Sequence, residues 1–290
     1  MTLLTIRGLT KTYPNGTRAL DGVDLDIPRG VFGLLGPNGA GKSSLMRTIA
    51  TLQDADAGSI HFDGIDALRE PRRVQEILGY LPQEFGVYPR VGAQALLDHL
   101  AVLKGITHRR TRKDQVKELL VRTNLWEHRR KPVDSFSGGM RRRFGIAQAL
   151  LGAPRLLIVD EPTAGLDPEE RQRFLDLITE LGEDIAVILS THWVEDVREL
   201  CPQMAVLDGG RILRAGSPEE AIQELEGRLW RRRCERDEVQ RLEQEVHVLS
   251  TRRRAGQVVL HALAEQCPAG FEAVEPRLED AYFAALKRRG

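Results

Sequence analysis

Three short apolar runs stand out along the chain, and each is followed at once by polar residues. They occupy residues 31–35, 156–159 and 185–189. Runs that are apolar on both faces are typical of central strands in a parallel sheet that is covered by helices. Such sheets bind ligands beyond the carboxyl ends of their strands. The pattern therefore predicts an α/β fold with a binding site where these three strands end.

Other stretches have the spacing of helices or of antiparallel strands. Residues 2–27 alternate short apolar stretches with turn residues, which predicts an antiparallel sheet. Apolar residues at helical spacing predict helices at residues 43–50, 93–104, 112–122 and 137–152. These patterns predict a first domain at residues 1–226, within which a helical subdomain covers about residues 84–152.

A second, smaller unit is predicted at residues 227–290. Before it come a hairpin at 208–210 and a helix capped by Ser217 and Glu220. The unit has a strand, a helix near 237–245, strands near 246–250 and 258–264, and a terminal helix at 278–287. Because it carries no phosphate loop, metal-ligand cluster or nucleophile–base pair, we expect it to regulate or brace a dimer. Its apolar positions suffice for a small core that could pack on its counterpart in a second subunit. They include Leu229, Trp230, Val246, Val248, Val258, Leu260, Phe271, Tyr282, Phe283 and Leu286.

Composition narrows the function. The 42 basic and 42 acidic residues give a net charge of zero, so no overall field attracts nucleic acid or anionic lipid. Short basic runs, such as residues 231–233 and 252–254, are interpreted as solvated faces. The three cysteines form no C-x-x-C pair, which predicts reduced thiols without a zinc site or disulfide framework. No signal-peptide core is evident, and no apolar run approaches the ~20 residues that cross a bilayer, so a membrane role is expected to be peripheral.

The loop after the first apolar run matches G-x-x-x-x-G-K-[ST], which wraps the phosphates of a nucleotide. Its glycines let backbone N–H groups approach the phosphates, and the next helix points its positive end at them. Lys42 would supply charge for the β- and γ-phosphates, and the Ser43 hydroxyl can ligate Mg²⁺. The alternative to a phosphate-binding loop is an ordinary glycine-rich turn. The phosphate-binding motif requires a strand before it and a helix after it, and both are predicted here. The predicted nucleotide-binding residues are Gly36, Pro37, Asn38, Gly39, Ala40, Gly41, Lys42, Ser43 and Ser44.

The other two apolar runs end in Asp160-Glu161 and in Ser190-Thr191-His192. Catalysis of phosphoryl transfer consists mostly of positioning and charge stabilisation. Asp160 would hold hydrated Mg²⁺, and Glu161 would orient and deprotonate the attacking water. Alone, either carboxylate could be a helix N-cap and His192 an ordinary polar residue. Their position beside the phosphate loop favours the catalytic interpretation.

The segment Asp-Ser-Phe-Ser-Gly-Gly-Met at 134–140 resembles the signature of ATP-binding cassette (ABC) ATPases. The order of motifs over residues 2–220 is similar to that family throughout. The resemblance implies a P-loop NTPase with a RecA-like parallel-sheet core, an N-terminal antiparallel β subdomain and a helical signature subdomain, to which this chain adds a small α+β C-terminal domain. By the resemblance, Tyr13 stacks on adenine, Gln83 senses Mg²⁺ and the nucleotide, Asp167 lies at a dimer seam, and His192 contacts the γ-phosphate.

The signature also has a physical interpretation of its own. Ser137 can N-cap a helix, and Gly138 and Gly139 leave the backbone bare at its positive end, which favours an anion. In ABC ATPases the signature of one subunit closes on the nucleotide of another, so that two ATP molecules lie in a head-to-tail dimer. The sequence departs from the family pattern at Met140, where glutamine is common, and at residues 164–165, where Ser-Ala is frequent. Both sites are still expected to be competent.

A further segment points to a membrane partner. Residues 84–89 contain aromatics among turn residues directly after Gln83. In the family, the groove formed by this segment receives cytoplasmic helices of a transmembrane subunit. A packed loop is the alternative, because aromatics are also ordinary core residues. The segments 79–86 and 276–282 resemble those of ABC-2 type exporter ATPases.

The sequence thus predicts an ATP-hydrolysing subunit of an ABC exporter that uses ATP and Mg²⁺. It would pair with a second copy of itself and with transmembrane permease subunits on separate chains, on the cytoplasmic side of the cell membrane, without nucleic acid. One rival is a soluble ABC protein acting on ribosomes or DNA, but those carry two cassettes or a long inserted coiled coil. A non-catalytic regulatory subunit is the other rival, yet Lys42, Asp160, Glu161 and His192 are all present.

Overall fold

A computed structural model describes residues 2–86, 88–254 and 257–287, so Val87 of the predicted partner segment lies outside the described residues. The strands are β1 (Thr2–Thr12), β2 (Arg18–Pro28), β3 (Val31–Leu35), β4 (Ala57–Phe62), β5 (Ile65–Asp66), β6 (Leu78–Leu81), β7 (Leu156–Asp160), β8 (Ala186–Thr191), β9 (Gln203–Asp208), β10 (Arg211–Gly216), β11 (Leu229–Cys234), β12 (His247–Arg254), β13 (Gln257–Leu263) and β14 (Glu272–Ala273). The α-helices are α1 (Lys42–Ile49), α2 (Pro71–Ile77), α3 (Ala93–Leu103), α4 (Arg109–Arg122), α5 (Gly138–Ala149), α6 (Pro168–Asp184), α7 (Val194–Leu200), α8 (Pro218–Gln223), α9 (Val239–Glu245) and α10 (Leu278–Lys287).

The central sheet has the strand order β10-β9-β3-β8-β7-β6. Its first five strands along the chain run parallel, and only β10 pairs antiparallel with its neighbour. The predicted strands β3, β8 and β7 lie side by side in the middle. Their carboxyl ends are level, because Leu35 pairs with Thr191 and Asp160 pairs with Ser190. The α/β prediction is confirmed, and the polar residues after these strands share one edge.

The side chains of the central strands alternate between two apolar cores. Along β7, Leu156 and Ile158 face one core, whereas Leu157 and Val159 face the other. An antiparallel sheet of order β2-β1-β4-β5, as predicted for the amino-terminal part, covers the first face. Helix α1 touches both sheets, since it contacts β2 and β7. The helices α3 to α7 cover the second face, and the predicted helical subdomain is made of α3, α4 and α5.

Local chemistry explains two helix boundaries that differ from the sequence prediction. Helix α4 begins at Arg109, ahead of the predicted residue 112, because the His108 ring nitrogen accepts a hydrogen bond from Thr111 N at 3.4 Å. Helix α5 ends at Ala149, before the predicted residue 152. Gly152 and Ala153 adopt left-handed backbone angles, with φ of 82° and 51°, which a continuing helix does not allow.

The carboxy-terminal unit has an antiparallel sheet of order β12-β13-β11-β14. One face of this sheet forms a small core with Leu242 of α9, to which Val248, Val258 and Leu260 contribute. Helix α10 lies outside this small core and packs both on β12 of the same sheet and on α7, α8, β9 and β10 of the first domain. Leu278 and Tyr282 of α10 therefore belong to the same apolar core as the central sheet. The domain boundary near residue 227 stays a prediction.

Five of the apolar residues predicted for the small core of this unit are buried within the chain, and their packing on a second subunit stays a prediction. Leu229, Val248, Val258, Leu260 and Tyr282 are each less than 9% exposed. The chain covers them itself, with α9 on one side of the sheet and the first domain beside α10.

Within the described part of the chain, no helix is long and apolar enough to span a bilayer.

Candidate active site

The phosphate loop joins β3 to α1, and two of its glycines are required by close backbone contacts. A Cβ on Gly36 would lie 2.3 Å from the carbonyl oxygen of Leu207, and one on Gly41 would lie 2.3 Å from that of Ala19. Gly41 also has a φ of 109°, in the left-handed region. Any other residue at these two positions would push the loop away from the strands that hold it.

The amino terminus of α1 is available to an anion. Its N-cap residue is Gly41, which has no side chain to accept hydrogen bonds from the first turn. The first N–H groups of a helix lack intrahelical partners, and together with the helix dipole they favour phosphate. Ser43 lies in this turn, and its hydroxyl makes no hydrogen bond with the residues that the structure describes. That hydroxyl is thus available to a ligand.

Lys42 is buried, with 4% of its surface exposed. Its Nζ donates to the carbonyl oxygens of Gly36 at 2.6 Å and Pro37 at 3.1 Å. The same Nζ lies 3.4 Å from Oε1 of Glu161. The ammonium group is therefore held in the loop and faces the carboxylate at the end of β7.

Glu161 is the centre of the site. Its Oε2 accepts a hydrogen bond from Nε2 of Gln83 at 3.4 Å and lies 3.5 Å from Nδ1 of His192. With Lys42 on Oε1, one carboxylate contacts the three other residues predicted to be catalytic. These residues come from four separate segments, which the parallel register of β6, β7, β8 and β3 brings together.

The backbone of Glu161 is strained. Its φ is 44°, a left-handed angle that residues other than glycine rarely adopt. Ser190 holds it there, since the N–H of Glu161 donates to the Ser190 hydroxyl at 3.0 Å and to its carbonyl oxygen at 3.1 Å. The Ser190 hydroxyl donates in turn to Oδ1 of Asp160 at 2.5 Å. This arrangement turns the side chain of Glu161 out of the strand and into the site.

Asp160, Ser43 and Gln83 are the predicted ligands of Mg²⁺, and their chemistry fits that ion. All three offer oxygen donors, which Mg²⁺ prefers. Asp160 is 2% exposed, and only one of its carboxylate oxygens is used by Ser190. Burial, and next the negative charge of Asp160, raise the pKa of nearby Tyr80 above its usual value. Among the described residues no group of three His, Cys, Asp or Glu side chains could hold a metal. Mg²⁺ usually keeps several waters and binds substrate phosphates besides one or two protein ligands.

A buried carboxylate behind the site was missed by the sequence analysis. Asp196 of α7 is fully buried and accepts hydrogen bonds from the hydroxyls of Thr163 at 2.7 Å and Thr191 at 3.2 Å. Arg171 of α6 donates to its other oxygen from Nε at 2.9 Å. Asp196 thereby ties the loop after Glu161 to the residue before His192. No local motif marks this residue, because its partners are distant in the sequence.

Tyr13 lies in the turn between β1 and β2, beside the first turn of α1. Its hydroxyl is 3.0 Å from the hydroxyl of Ser44 and donates to Oε1 of Gln53 at 3.0 Å. The ring is therefore fixed next to the phosphate loop. This is compatible with a contact to a nucleotide base, and the adenine-stacking role stays a prediction.

The signature segment lies apart from the phosphate loop. Ser137 is the N-cap of α5, as predicted, and its hydroxyl accepts from Met140 N at 3.2 Å. In the part of the chain that is described, no hydrogen bond or ion pair links residues 134–140 to residues 36–44. Gly138 is exposed, and a Cβ there would lie at an ordinary van der Waals distance of 3.9 Å from the side chain of Leu166, whereas Gly139 is buried.

Gly139 is needed for a contact that the sequence did not indicate. A Cβ there would come 2.0 Å from Oε2 of Glu170, which is paired with Arg143 at 3.0 Å. Glu170 belongs to α6, whose N-cap is Asp167. The Asp167 side chain accepts from Glu170 N at 2.9 Å. The signature helix and the Asp167 loop are thus packed on one another, and among the described residues neither Ser137 nor Asp167 bonds to Lys42 or Glu161.

Comparison with known proteins agrees with this geometry. The family model described as "ABC transporter" matches residues 20–164, a span that contains the phosphate loop, Gln83, the signature segment and the Asp160-Glu161 pair. The chain belongs to the ABC transporter family.

Relatives in this ABC family include ATP-binding proteins of two resistance systems. The Daunorubicin resistance ATP-binding protein DrrA3 of Streptomyces coeruleorubidus is 39% identical over 228 residues, which cover 78% of this chain and 72% of that protein. The Linearmycin resistance ATP-binding protein LnrL of Bacillus subtilis is 34% identical over 227 residues, with the same coverage of 78% and 72%. In both, the match leaves part of this chain uncovered.

Solved ABC structures share the fold. The structure of cbiO1 from Clostridium perfringens, described as part of the ABC transporter complex cbiONQ, has a TM-score of 0.71 and 28% identity, and the match covers 77% of this chain and 91% of that one. The dimeric structure of a bacterial ABC transporter cassette has a TM-score of 0.67 and 25% identity, with 74% and 98% covered. As a member of this ABC family, the chain is an ATP-binding subunit and an ATPase.

Proposed function

We propose that this chain is the ATP-hydrolysing subunit of an ABC exporter. Two copies would close head to tail around two ATP molecules and drive separate transmembrane subunits. The observation that carries the proposal is the position of Glu161, whose carboxylate contacts Lys42, Gln83 and His192 in one chain. The phosphate loop with Lys42 lies beside Glu161, whereas the signature segment of the same chain does not bond to that loop within the described residues. One chain therefore supplies one half of such a shared site.

Each residue of this cluster has a role in the proposed reaction. Lys42 stabilises the charge of the β- and γ-phosphates, and Glu161 takes the proton of the attacking water. His192 has 37% of its side chain exposed and can turn from Glu161 to the γ-phosphate. When bound by Ser43, Gln83 and Asp160, Mg²⁺ would neutralise phosphate charge that these side chains do not reach.

The second half of each site would come from the other copy. Ser137 and Gly138 lie exposed at the positive end of α5, where an anion is favoured. The likeness to a dimeric bacterial cassette supports closure of two chains. Asp167, at the N-cap of α6 beside the signature, would then lie at the seam between them.

Export is supported by the relatives. Those 39% and 34% identical are named for daunorubicin and linearmycin resistance, and removal of a drug from the cell requires export. A Phosphonates import ATP-binding protein, PhnC 2 of Synechococcus, is 36% identical over 239 residues, so identity alone does not fix the direction. The resemblance of segments 79–86 and 276–282 to ABC-2 type exporters favours export. We place the chain on the cytoplasmic side of the cell membrane, bound to permease subunits and not to nucleic acid.

The variant Glu161→Gln tests the proposal. It should bind ATP but hydrolyse it at least about 10²-fold more slowly, the lower range for loss of a general base. Light scattering after gel filtration should show a dimer with ATP and a monomer with ADP. The matched control is Glu169→Gln, which alters an exposed carboxylate on α6 and should hydrolyse ATP normally.

Near-normal hydrolysis by Glu161→Gln would move the general base elsewhere, with His192 as the next candidate. Transport itself is measured in inverted membrane vesicles that carry the chain and its permease. ATP-dependent accumulation of drug inside those vesicles, lost in Glu161→Gln, would support export. Accumulation in right-side-out vesicles would contradict it.

A further inference from the structure

A groove of about 1290 Å³ lies where the carboxy-terminal unit meets the first domain. It is lined by β11, β12 and β13, by the segment before α10, and by one residue of α7. Its cationic side chains are Arg198, Arg231, Arg233, Arg252, Arg253 and Arg277. This concentration is local, because the whole chain has a net charge of zero.

Strand register places two of these arginines on the same face of the sheet. Arg233 of β11 and Arg252 of β12 both pair with Val259 of β13, one from each side. Directly paired residues point to the same face of an antiparallel sheet, and neighbouring strands are about 4.8 Å apart. The two arginines are therefore about 10 Å apart at their backbones, on either side of a valine.

Only part of this charge is neutralised. Arg231 pairs with Glu272 at 2.7 Å, and Arg252 pairs with Glu279. Arg198, Arg233, Arg253 and Arg277 are exposed, and no ion pair to any of them occurs among residues 2–86, 88–254 and 257–287. Like charges left unpaired in a concave surface produce a positive potential that attracts anions.

The acidic residues of the groove do not cancel that potential. Asp280 is 2% exposed, and its carboxylate is occupied by Nδ1 of His261 at 2.8 Å and by the backbone N–H of Arg277 at 2.9 Å. Glu275 is the other acidic residue of the lining that the structure describes. The groove thus keeps an excess of guanidinium groups, which match phosphate in planar, bidentate hydrogen bonds.

We propose that this groove binds a polyanion carrying several phosphate groups. Its volume exceeds that of a single phosphate, and its arginines come from four chain segments around it. No Phe, Tyr or Trp lines the described part of the groove, so it has no surface on which the bases of a nucleic acid would stack. The phosphates belong either to a soluble polyphosphorylated molecule or to the headgroups of an anionic lipid, and Arg198 makes the first domain part of the site.

The test uses the full chain with ADP in excess, so that the phosphate loop is filled. Inositol hexakisphosphate is titrated by calorimetry, and vesicles of phosphatidylglycerol or of phosphatidylcholine are sedimented with the protein. The variant Arg233→Ala/Arg253→Ala removes two exposed arginines that form no ion pair, so it should fold normally, which thermal melting checks. Its matched control, Arg109→Ala/Arg236→Ala, removes the same charge outside the groove.

We expect the groove variant to bind at least about 10-fold more weakly, since two charge-assisted hydrogen-bonding groups are lost, while the control binds normally. If the groove variant but not the control binds inositol hexakisphosphate more weakly, the ligand is a soluble molecule. If the same difference is seen with phosphatidylglycerol vesicles, the ligand is a lipid surface. Either one supports the site. Absence of binding to both probes, or equal weakening by the groove variant and its control, would overturn the proposal.

Discussion

Arg142 of α5 donates a hydrogen bond to the backbone carbonyl of Gln83, with Nη1 and the oxygen 2.5 Å apart. A second, longer bond joins the same nitrogen to the carbonyl of Pro82 at 3.5 Å. The Arg142 guanidinium is partly withdrawn from solvent, and this burial lowers its pKa below the usual value. Because Gln83 itself bonds to Glu161, this contact links the signature helix to the hydrolytic centre.

The first prediction is that Arg142→Ala lowers kcat and leaves the affinity for ATP nearly unchanged. The variant frees the Gln83 loop while Lys42 and the phosphate loop stay intact. Loss of a charge-assisted hydrogen bond corresponds to roughly a 10-fold fall in kcat. The control is Arg141→Ala, since Arg141 is exposed and its side chain bonds, among the described residues, to Asp134 of its own segment. An equal loss of ATP affinity and kcat would show that Arg142 is merely structural.

The sequence could predict the residues at the strand ends because each belongs to a local pattern. Lys42 follows a glycine motif, and Glu161 and His192 follow apolar runs whose register in a parallel sheet is constrained. Asp196 and Arg142 could not be predicted in the same way. Their partners are side chains and carbonyls from distant segments, and such contacts depend on how helices pack on the sheet.

Contacts between distant segments could not be predicted in the carboxy-terminal unit either. Alternating burial along β13 agrees with the strand predicted near residues 258–264, because period-two alternation is a property of one strand alone. It did not reveal that α10 covers the first domain, which depends on the path of the chain after β14. From the sequence, the apolar residues of α10 were therefore candidates for contact with a second subunit. In the structure they pack in the core of this chain.

The second prediction concerns the shared site. Lys42→Ala and Ser137→Arg should each be inactive alone, because the first lacks the phosphate charge and the second blocks the signature that closes on the partner's nucleotide. Mixed together, they should regain part of the wild-type ATPase rate. A heterodimer has one site made of two intact halves and one site that carries both changes. Steady-state hydrolysis across mixing ratios measures this, and full activity of dilute Ser137→Arg as a monomer would refute the shared site.

The third prediction is that Asp196→Asn impairs both stability and turnover. The amide keeps hydrogen bonds to Thr163 and Thr191 but leaves the partly buried Arg171 without its charge partner. Removing one member of such a pair costs about 2–3 kcal/mol in the free energy of unfolding. We expect kcat to fall further than stability explains, because Glu161 and His192 lose their common support. Glu199→Gln, an exposed carboxylate on the same helix, should change neither quantity in urea unfolding and ATPase assays.

The last prediction is that the carboxy-terminal unit unfolds together with the first domain. Leu278 is 1% exposed and packs in the core that also contains the central sheet. Leu278→Ala should therefore lower the free energy of unfolding of the whole chain by about 2–5 kcal/mol, the range for a buried leucine. Calorimetry should show one transition for the wild type and one, at a lower temperature, for the variant. ATP binding should persist at low temperature, because the main contacts of α10 are with α7, α8, β9, β10 and β12, whereas the phosphate loop lies between β3 and α1. Two separate transitions, with only one shifted by Leu278→Ala, would show that residues 227–290 fold independently and that the contact of α10 with the first domain contributes little to stability.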